Sequence, residues 1–129
     1  MITITGIHHC AIICSDYERA KHFYVDLLEF KILEETYRAE RHSYKLDLSL
    51  PDGSQIELFS FPAPPNRQTQ PEACGLRHLA FKVPNVAVAV RELNDKGIVT
   101  EPIRIDPLTS KPFTFFRDPD DLPLELYQT

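Results

Sequence analysis

The stretch IELFSF, residues 56–61, reads as a β-strand, yet it places Glu57 among apolar neighbours. LPLELYQ, residues 122–128, does the same with Glu125. Side chains of a strand point alternately to its two faces. In the later stretch, Leu122, Leu124 and Leu126 share one face, while Pro123, Glu125 and Tyr127 take the other. In the earlier one, Ile56 and Leu58 oppose Glu57, Phe59 and Phe61. Each strand is therefore predicted to pack its aliphatic face on a helix and to hold a carboxylate on the opposite face.

The same arrangement of elements surrounds both strands. SDYERAKHFYVDLLEF carries Ala20, Phe23, Tyr24, Leu27 and Leu28 in one apolar stripe at helical spacing. Ser15 and Glu18 have the spacing of a capping box. NVAVAVRELNDKG is the second helix, with Asn85 as its cap, Val86, Ala89, Val90 and Leu93 as its stripe, and Gly97 at its end. A short apolar strand precedes each helix, GIHHCAII and GLRHLAFKV. Three strand-like runs follow each: KILEETYR, SYKLDLSL and SQIELFSF, then VTEPIRID, FTFFRD and LPLELYQ. The pattern is βαβββ twice, an α+β class with helices on the outer face of curved mixed sheets. Module 1 covers about residues 4–61 and module 2 about 75–129. The proline-rich PAPPNRQTQPEA between them marks a linker at about 62–74. One such module alone is marginal in size, so the expectation is a single domain over residues 1–129 with a shared core.

Composition narrows the function. The chain has 129 residues, 43% of them hydrophobic, and a formal net charge of -5, which argues against nucleic-acid binding. No apolar run approaches the roughly 20 residues of a membrane span. MITITGIHHC lacks the basic region and apolar run of a secretory signal. The expectation is a soluble cytoplasmic protein. Cys10 and Cys14, four apart on a strand, would stand about 13 Å apart, too far for a disulfide. Cys74 has no evident partner, so no disulfide framework is expected.

His9 and His78 open equivalent strands, as Glu57 and Glu125 occupy equivalent last strands. One strand phase puts all four on the face away from the helices, near Ala11, Ile13, Phe59, Phe61, Ala80 and Tyr127. Each residue alone suits an ordinary strand. Together, in repeat-equivalent places, they suit a metal: imidazoles and carboxylates ligate divalent first-row ions, which offset the charge among apolar neighbours. Ile13, Phe59, Phe61 and Tyr127 are the candidate substrate-pocket residues.

Through HHCAIICSDYERAKHFYVDLLEF, IELFSF, LRHLAFKV and RDPDDLPLELY, the whole chain resembles the vicinal oxygen chelate superfamily, which includes glyoxalase I, extradiol dioxygenases and fosfomycin-resistance proteins. FTFFRDPDDLPLELY is similar to a short bacterial glyoxalase I-like (lactoylglutathione lyase-like) branch. The resemblance implies metal ligands at His9, Glu57, His78 and Glu125, and a homodimer. It also implies one divalent cofactor, Ni, Zn, Co, Mn or Fe, and a proton moved through a metal-stabilised enediolate. Glu57 and Glu125 are then the catalytic residues. Fosfomycin transferases and extradiol dioxygenases resemble the set only at His9, His78 and Glu125, so Glu57 favours glyoxalase I-like chemistry on a small α-oxo or α-hydroxy compound. Epimerase or extradiol-type dioxygenase chemistry, or a non-catalytic ligand-binding module, are the alternatives.

Three departures from the family pattern stand out. Glyoxalase I resembles this chain except for an Arg where Ile13 stands and an Asn where Phe61 stands, both of which grip glutathione. Their replacement by apolar residues removes two polar anchors for glutathione and argues against it as the thiol. The family's usual DPDG reads DPDD at 118–121, from which a local turn effect of Asp121 is expected.

Overall fold

In the computed structural model, which describes residues 1–129, the chain forms two compact units, Met1–Asn66 and Arg67–Thr129. The boundary falls within the proline-rich stretch. From Arg67 onward that stretch bonds to the second unit: the Arg67 guanidinium donates to Thr69 Oγ1 and the Leu76 carbonyl, and the Thr69 hydroxyl donates to the Asp121 carbonyl.

The first unit contains β1 (His9–Cys14), α1 (Tyr17–Lys21), β2 (Lys31–Arg38), β3 (Ser43–Ser49) and β4 (Gln55–Ser60). Its sheet runs β1-β4-β3-β2, with β1 parallel to β4 and the remaining pairs antiparallel. The second unit repeats this with β5 (Leu79–Val83), α2 (Val86–Asp95), β6 (Arg104–Ile105), β7 (Pro112–Arg117) and β8 (Pro123–Gln128), in the order β5-β8-β7-β6. These are the two α+β modules with mixed sheets that the sequence implied.

Strand alternation explains the packing. Leu46, Leu48, Ile56 and Leu58 are all at most 3% exposed, and they share a core with Tyr17, Ala20, Phe23 and Tyr24. In the second unit, Thr114, Phe116, Leu124 and Leu126 are buried, as are Val86 and Leu93 of α2. The Thr114 hydroxyl avoids an orphaned polar group by donating to the Glu101 carbonyl at 2.7 Å. The opposite strand faces carry His9, Glu57 and Phe59 in one unit, and Ala80, Phe115, Glu125 and Tyr127 in the other.

The helices differ in detail from the sequence reading. Asp16, not Ser15, caps α1: its backbone is extended and its carboxylate accepts from Arg19 N at 3.1 Å. After Lys21 the helix widens into a π-helical segment, His22–Leu27, closed by Leu28 N donating to the Phe23 carbonyl. A stripe at i, i+3 and i+4 does not separate the two helix types, because the wider turn keeps Phe23 and Tyr24 buried as well. α2 follows the expectation. Asn85 accepts from Val88 N, and Gly97, at φ 82°, closes a Schellman turn in which Ile98 N reaches the Leu93 carbonyl. β6 is only two residues long rather than the full VTEPIRID run. Pro102 has no N–H for the ladder, so Glu101 N bonds to the Phe115 carbonyl but the pairing resumes only at Arg104. Asp121 adopts the left-handed φ of 66° that glycine accommodates more easily, and holds Arg117 Nη1 at 2.9 Å. No disulfide joins Cys10, Cys14 and Cys74. No helix is long and apolar enough to cross a membrane.

Glu35 ties β2 to α1. Its carboxylate accepts from Lys21 Nζ at 2.8 Å and from the Tyr17 hydroxyl. The Lys21 hydrogen bond, then that of Tyr17, hold the Glu35 carboxyl below its usual range. Its stabilising contribution is therefore complete above the ordinary carboxylate range and disappears as pH falls through its lowered value. Glu35→Gln is expected to cost about 0.5 kcal/mol near neutral pH, as an exposed pair does. The deficit should shrink in acid. Urea melts of both proteins from pH 7 to pH 3 check this, and a deficit that grows in acid would contradict it.

Candidate functional site

Each unit brings one imidazole to one carboxylate. In the first, β1 lies parallel to β4 and sets Ala11 opposite Glu57. His9, at the start of β1, then reaches Glu57: Nε2 is 3.5 Å from Oε2. In the second, Ala80 stands opposite Glu125, and His78, just before β5, places Nε2 3.7 Å from Oε1. Both carboxylate side chains are 13% exposed, so they are largely withdrawn from solvent without facing the leucine core. Strand alternation anticipated the face of these residues; the pairing of each histidine with the glutamate of its own unit comes from the parallel register of the first and last strands. No third His, Cys, Asp or Glu donor joins either pair within its unit.

The surroundings of the first pair include His8, which strand alternation from His9 would place on the helix-facing side, and Lys45 and Asp47, which the sequence reading did not single out. His8 Nδ1 lies 2.9 Å from His9 Nδ1, with the rings edge to face. Asp47 stands directly opposite Glu57 on β3. Its Oδ1 is buried without a hydrogen-bond partner, although Lys45 Nζ is 3.3 Å away, close enough for an ion pair but without hydrogen-bond alignment. Lys45 also stands 3.9 Å from Glu57 Oε2. The signal was present in YKLDL, since buried Leu46 and Leu48 force Lys45 and Asp47 onto the face of Glu57.

The donor chemistry of both pairs fits a divalent ion. Two ligand atoms about 2.1 Å from one ion stand about 3.0 to 3.4 Å apart at octahedral or tetrahedral angles. The observed separations of 3.5 and 3.7 Å need only small side-chain rotations to match. A ligating imidazole donates its second N–H to an acceptor, and His8 Nδ1 is placed to accept from His9 Nδ1. At His78 the neighbour is Arg77 Nη1, 3.3 Å from Nδ1, with the Phe115 ring edge-on at 5.1 Å. Arginine only donates, so this contact places the His78 proton on Nε2, and a metal at Nε2 requires the other tautomer.

The expected pocket residues lie on the same sheet faces. Ile13 is 56% exposed and pairs with Phe59. The Phe59 and Phe61 rings stack, and the Arg38 guanidinium lies over both, at 4.8 and 5.7 Å. In the other unit, Tyr127 stacks on Phe113 and donates to Asp106 Oδ2 at 2.8 Å, with a close contact to the Thr109 hydroxyl. A cavity of about 260 Å³ opens in the second unit beside Phe115 and Pro123.

A model of the glyoxalase/bleomycin resistance protein/dioxygenase superfamily matches residues 6–126. The chain is 67% identical over 125 residues to the uncharacterized protein YwkD of Bacillus subtilis, covering 97% of this chain and 98% of that one. It is 53% identical to YaeR of Escherichia coli over 99% of each chain. Among solved structures, a glyoxalase family protein from Enterococcus faecalis superimposes with a TM-score of 0.89 at 49% identity, over 95% of this chain and 97% of that one. Two others share the fold at 17% identity. They are glyoxalase I of Zea mays, with TM-score 0.81 over 95% of this chain and 44% of that one, and the FosX protein of Listeria monocytogenes with Mn(II), with TM-score 0.73 over 98% and 93%.

The Asp106 carboxyl is held below its usual range, first by the Leu108 backbone N–H and then by the Tyr127 hydroxyl. Tyr127→Phe is therefore expected to move the Asp106 titration upward, toward an ordinary aspartate. A carboxyl-carbon NMR titration measures this, and an unmoved midpoint would remove Tyr127 from the network.

Proposed function

The chain belongs to the glyoxalase/bleomycin resistance protein/dioxygenase superfamily, and from that footing we propose that it is a metal-dependent lyase or isomerase of glyoxalase I type. Its substrate is a small α-oxo or α-hydroxy compound. The observation that carries this reading is the duplicated His–Glu pair: His9 with Glu57, and His78 with Glu125, each on the sheet face opposite the leucines. The four side chains are proposed to hold one divalent ion. The donor set is the same whether both pairs come from one chain or from two copies. The Mn(II) complex of FosX, a protein of the same fold, supports a divalent ion as the cofactor class.

A divalent ion bound there supplies Lewis-acid polarisation of neighbouring substrate oxygens. The rest falls to the chain. His9 and His78 are neutral donors and leave the carboxylates to carry the charge. Glu57 and Glu125 are the bases: one takes a proton from the carbon beside the carbonyl, and one returns a proton to the adjacent carbon. Their 13% exposure keeps bulk water from competing for that proton. Ile13 and Phe61 offer no hydrogen bonds to a peptide carboxylate, which supports a thiol partner other than glutathione.

The test is turnover of methylglyoxal with a series of thiols. Glu57→Gln and Glu125→Gln are each expected to lower turnover by about 10²- to 10⁴-fold while melting within a few degrees of the parent. Parallel loss of activity and melting temperature would make these residues structural. Turnover strictly dependent on glutathione would contradict the role given to Ile13 and Phe61.

A further inference from the structure

The cavity in the second unit has a charge out of keeping with the chain. The protein carries a formal net charge of -5. The cavity is nevertheless lined by four arginines, Arg67, Arg77, Arg104 and Arg117, and three carboxylates face them, Glu72 and Glu101 in its lining and Asp121 against Arg117. The balance around this cavity of about 260 Å³ is one positive charge in excess, in a chain whose net charge is negative.

The arginines have different holds. Arg67 is held by the loop: Nε donates to Thr69 Oγ1, and Nη2 to the Leu76 and Arg77 carbonyls. Arg117 is drawn to Asp121 at 2.9 Å. Arg77 meets Glu72 through Nε at 2.5 Å, and Arg104 meets Glu101 through Nη2 at 3.3 Å. A guanidinium has five N–H donors; Arg77 gives one to Glu72 and one to His78 Nδ1, and Arg104 one to Glu101, so each keeps most of its donors for another acceptor. Arg104 is also oriented by the rings beneath it, 5.0 Å from the Phe113 centroid and 5.7 Å from that of Phe115.

The cavity adjoins the imidazole–carboxylate pair of the same unit. Phe115 lines it and stands edge-on to His78. Pro123 lines it two residues before Glu125 on the same face of β8, and Arg77 directly precedes His78. We propose that this cavity binds an oxyanion group, carboxylate or phosphate, carried by the substrate whose reacting end faces His78 and Glu125. Arg77 and Arg104 are the principal donors. The inference rests on the functional reading above for the direction of the reacting end, and it narrows the substrate to α-oxo or α-hydroxy compounds that carry an anionic group, on their own skeleton or on the thiol joined to them. Planar guanidinium forks suit the paired oxygens of such groups.

The test uses the metal-stripped full-length chain at low ionic strength, titrated separately with inorganic phosphate and with malonate by calorimetry. One saturable site per chain is expected for at least one of them, and the tighter anion identifies the group carried by the substrate. Arg77→Gln and Arg104→Gln should each weaken that binding about tenfold, and Arg91→Gln, on the exposed face of α2, should leave it unchanged. His9→Ala, in the other unit, should also leave it unchanged. Its loss of metal binding, with phosphate or malonate binding intact, would support the metal reading independently of this one. No saturable binding of either anion, or parental affinity in both arginine variants, would overturn the inference.

Discussion

Two carboxylates held on the sheet face opposite the leucines are the constraint on which the rest of the structure depends. In β4 and β8, a shift of pairing by one residue would drive Glu57 or Glu125 into the positions of Leu58 or Leu124, both fully buried. An unpaired carboxyl there would cost several kcal/mol, a large share of a typical domain's margin of stability. The leucines thus fix the register, and the register aims the carboxylates. The parallel pairing of each first strand with each last strand then delivers a histidine to each carboxylate. The duplicated module produces this juxtaposition twice by the same means.

The two units share this plan but not their surroundings. Beside Glu57 lie Asp47 and Lys45, a charged pair on the neighbouring strand. Beside Glu125 lie Phe115 and the guanidinium-lined cavity. The two units thus share the imidazole–carboxylate pair and differ in what surrounds it. That division suits a protein in which a common centre performs the chemistry and the less constrained face of one module selects the substrate.

Most of this was legible in the sequence. Alternation marked the faces of IELFSF and LPLELYQ, and the 3.6-residue stripe with Asn85 and Gly97 bounded the second helix closely. Other features were settled by competition that a local pattern does not register. Ser15 and Asp16 are both good caps, and backbone geometry chose Asp16. The π-helical turn after Lys21 buries the same apolar residues as an α-helix would. Pro102 cut β6 short because the ladder needed an N–H that proline lacks. Asp121, read as a local turn effect, takes a left-handed backbone and engages Arg117. The arginine cavity was the least legible feature. Arg67 and Arg104 lie far apart in the sequence, with no local pattern that joins them. Bringing them together with Arg77 and Arg117 requires a loop folded back by Thr69 and Arg67 and a sheet register linking separate strands.

The central claim is that His9, Glu57, His78 and Glu125 together hold one divalent ion, and metal analysis of the purified protein tests it most directly. Elemental analysis after dialysis against Ni, Zn, Co, Mn or Fe should find one tightly held ion for each set of four donors. His9→Ala and Glu125→Ala, each removing a donor from a different unit, should each abolish it. Full stoichiometry retained in both variants would contradict the account.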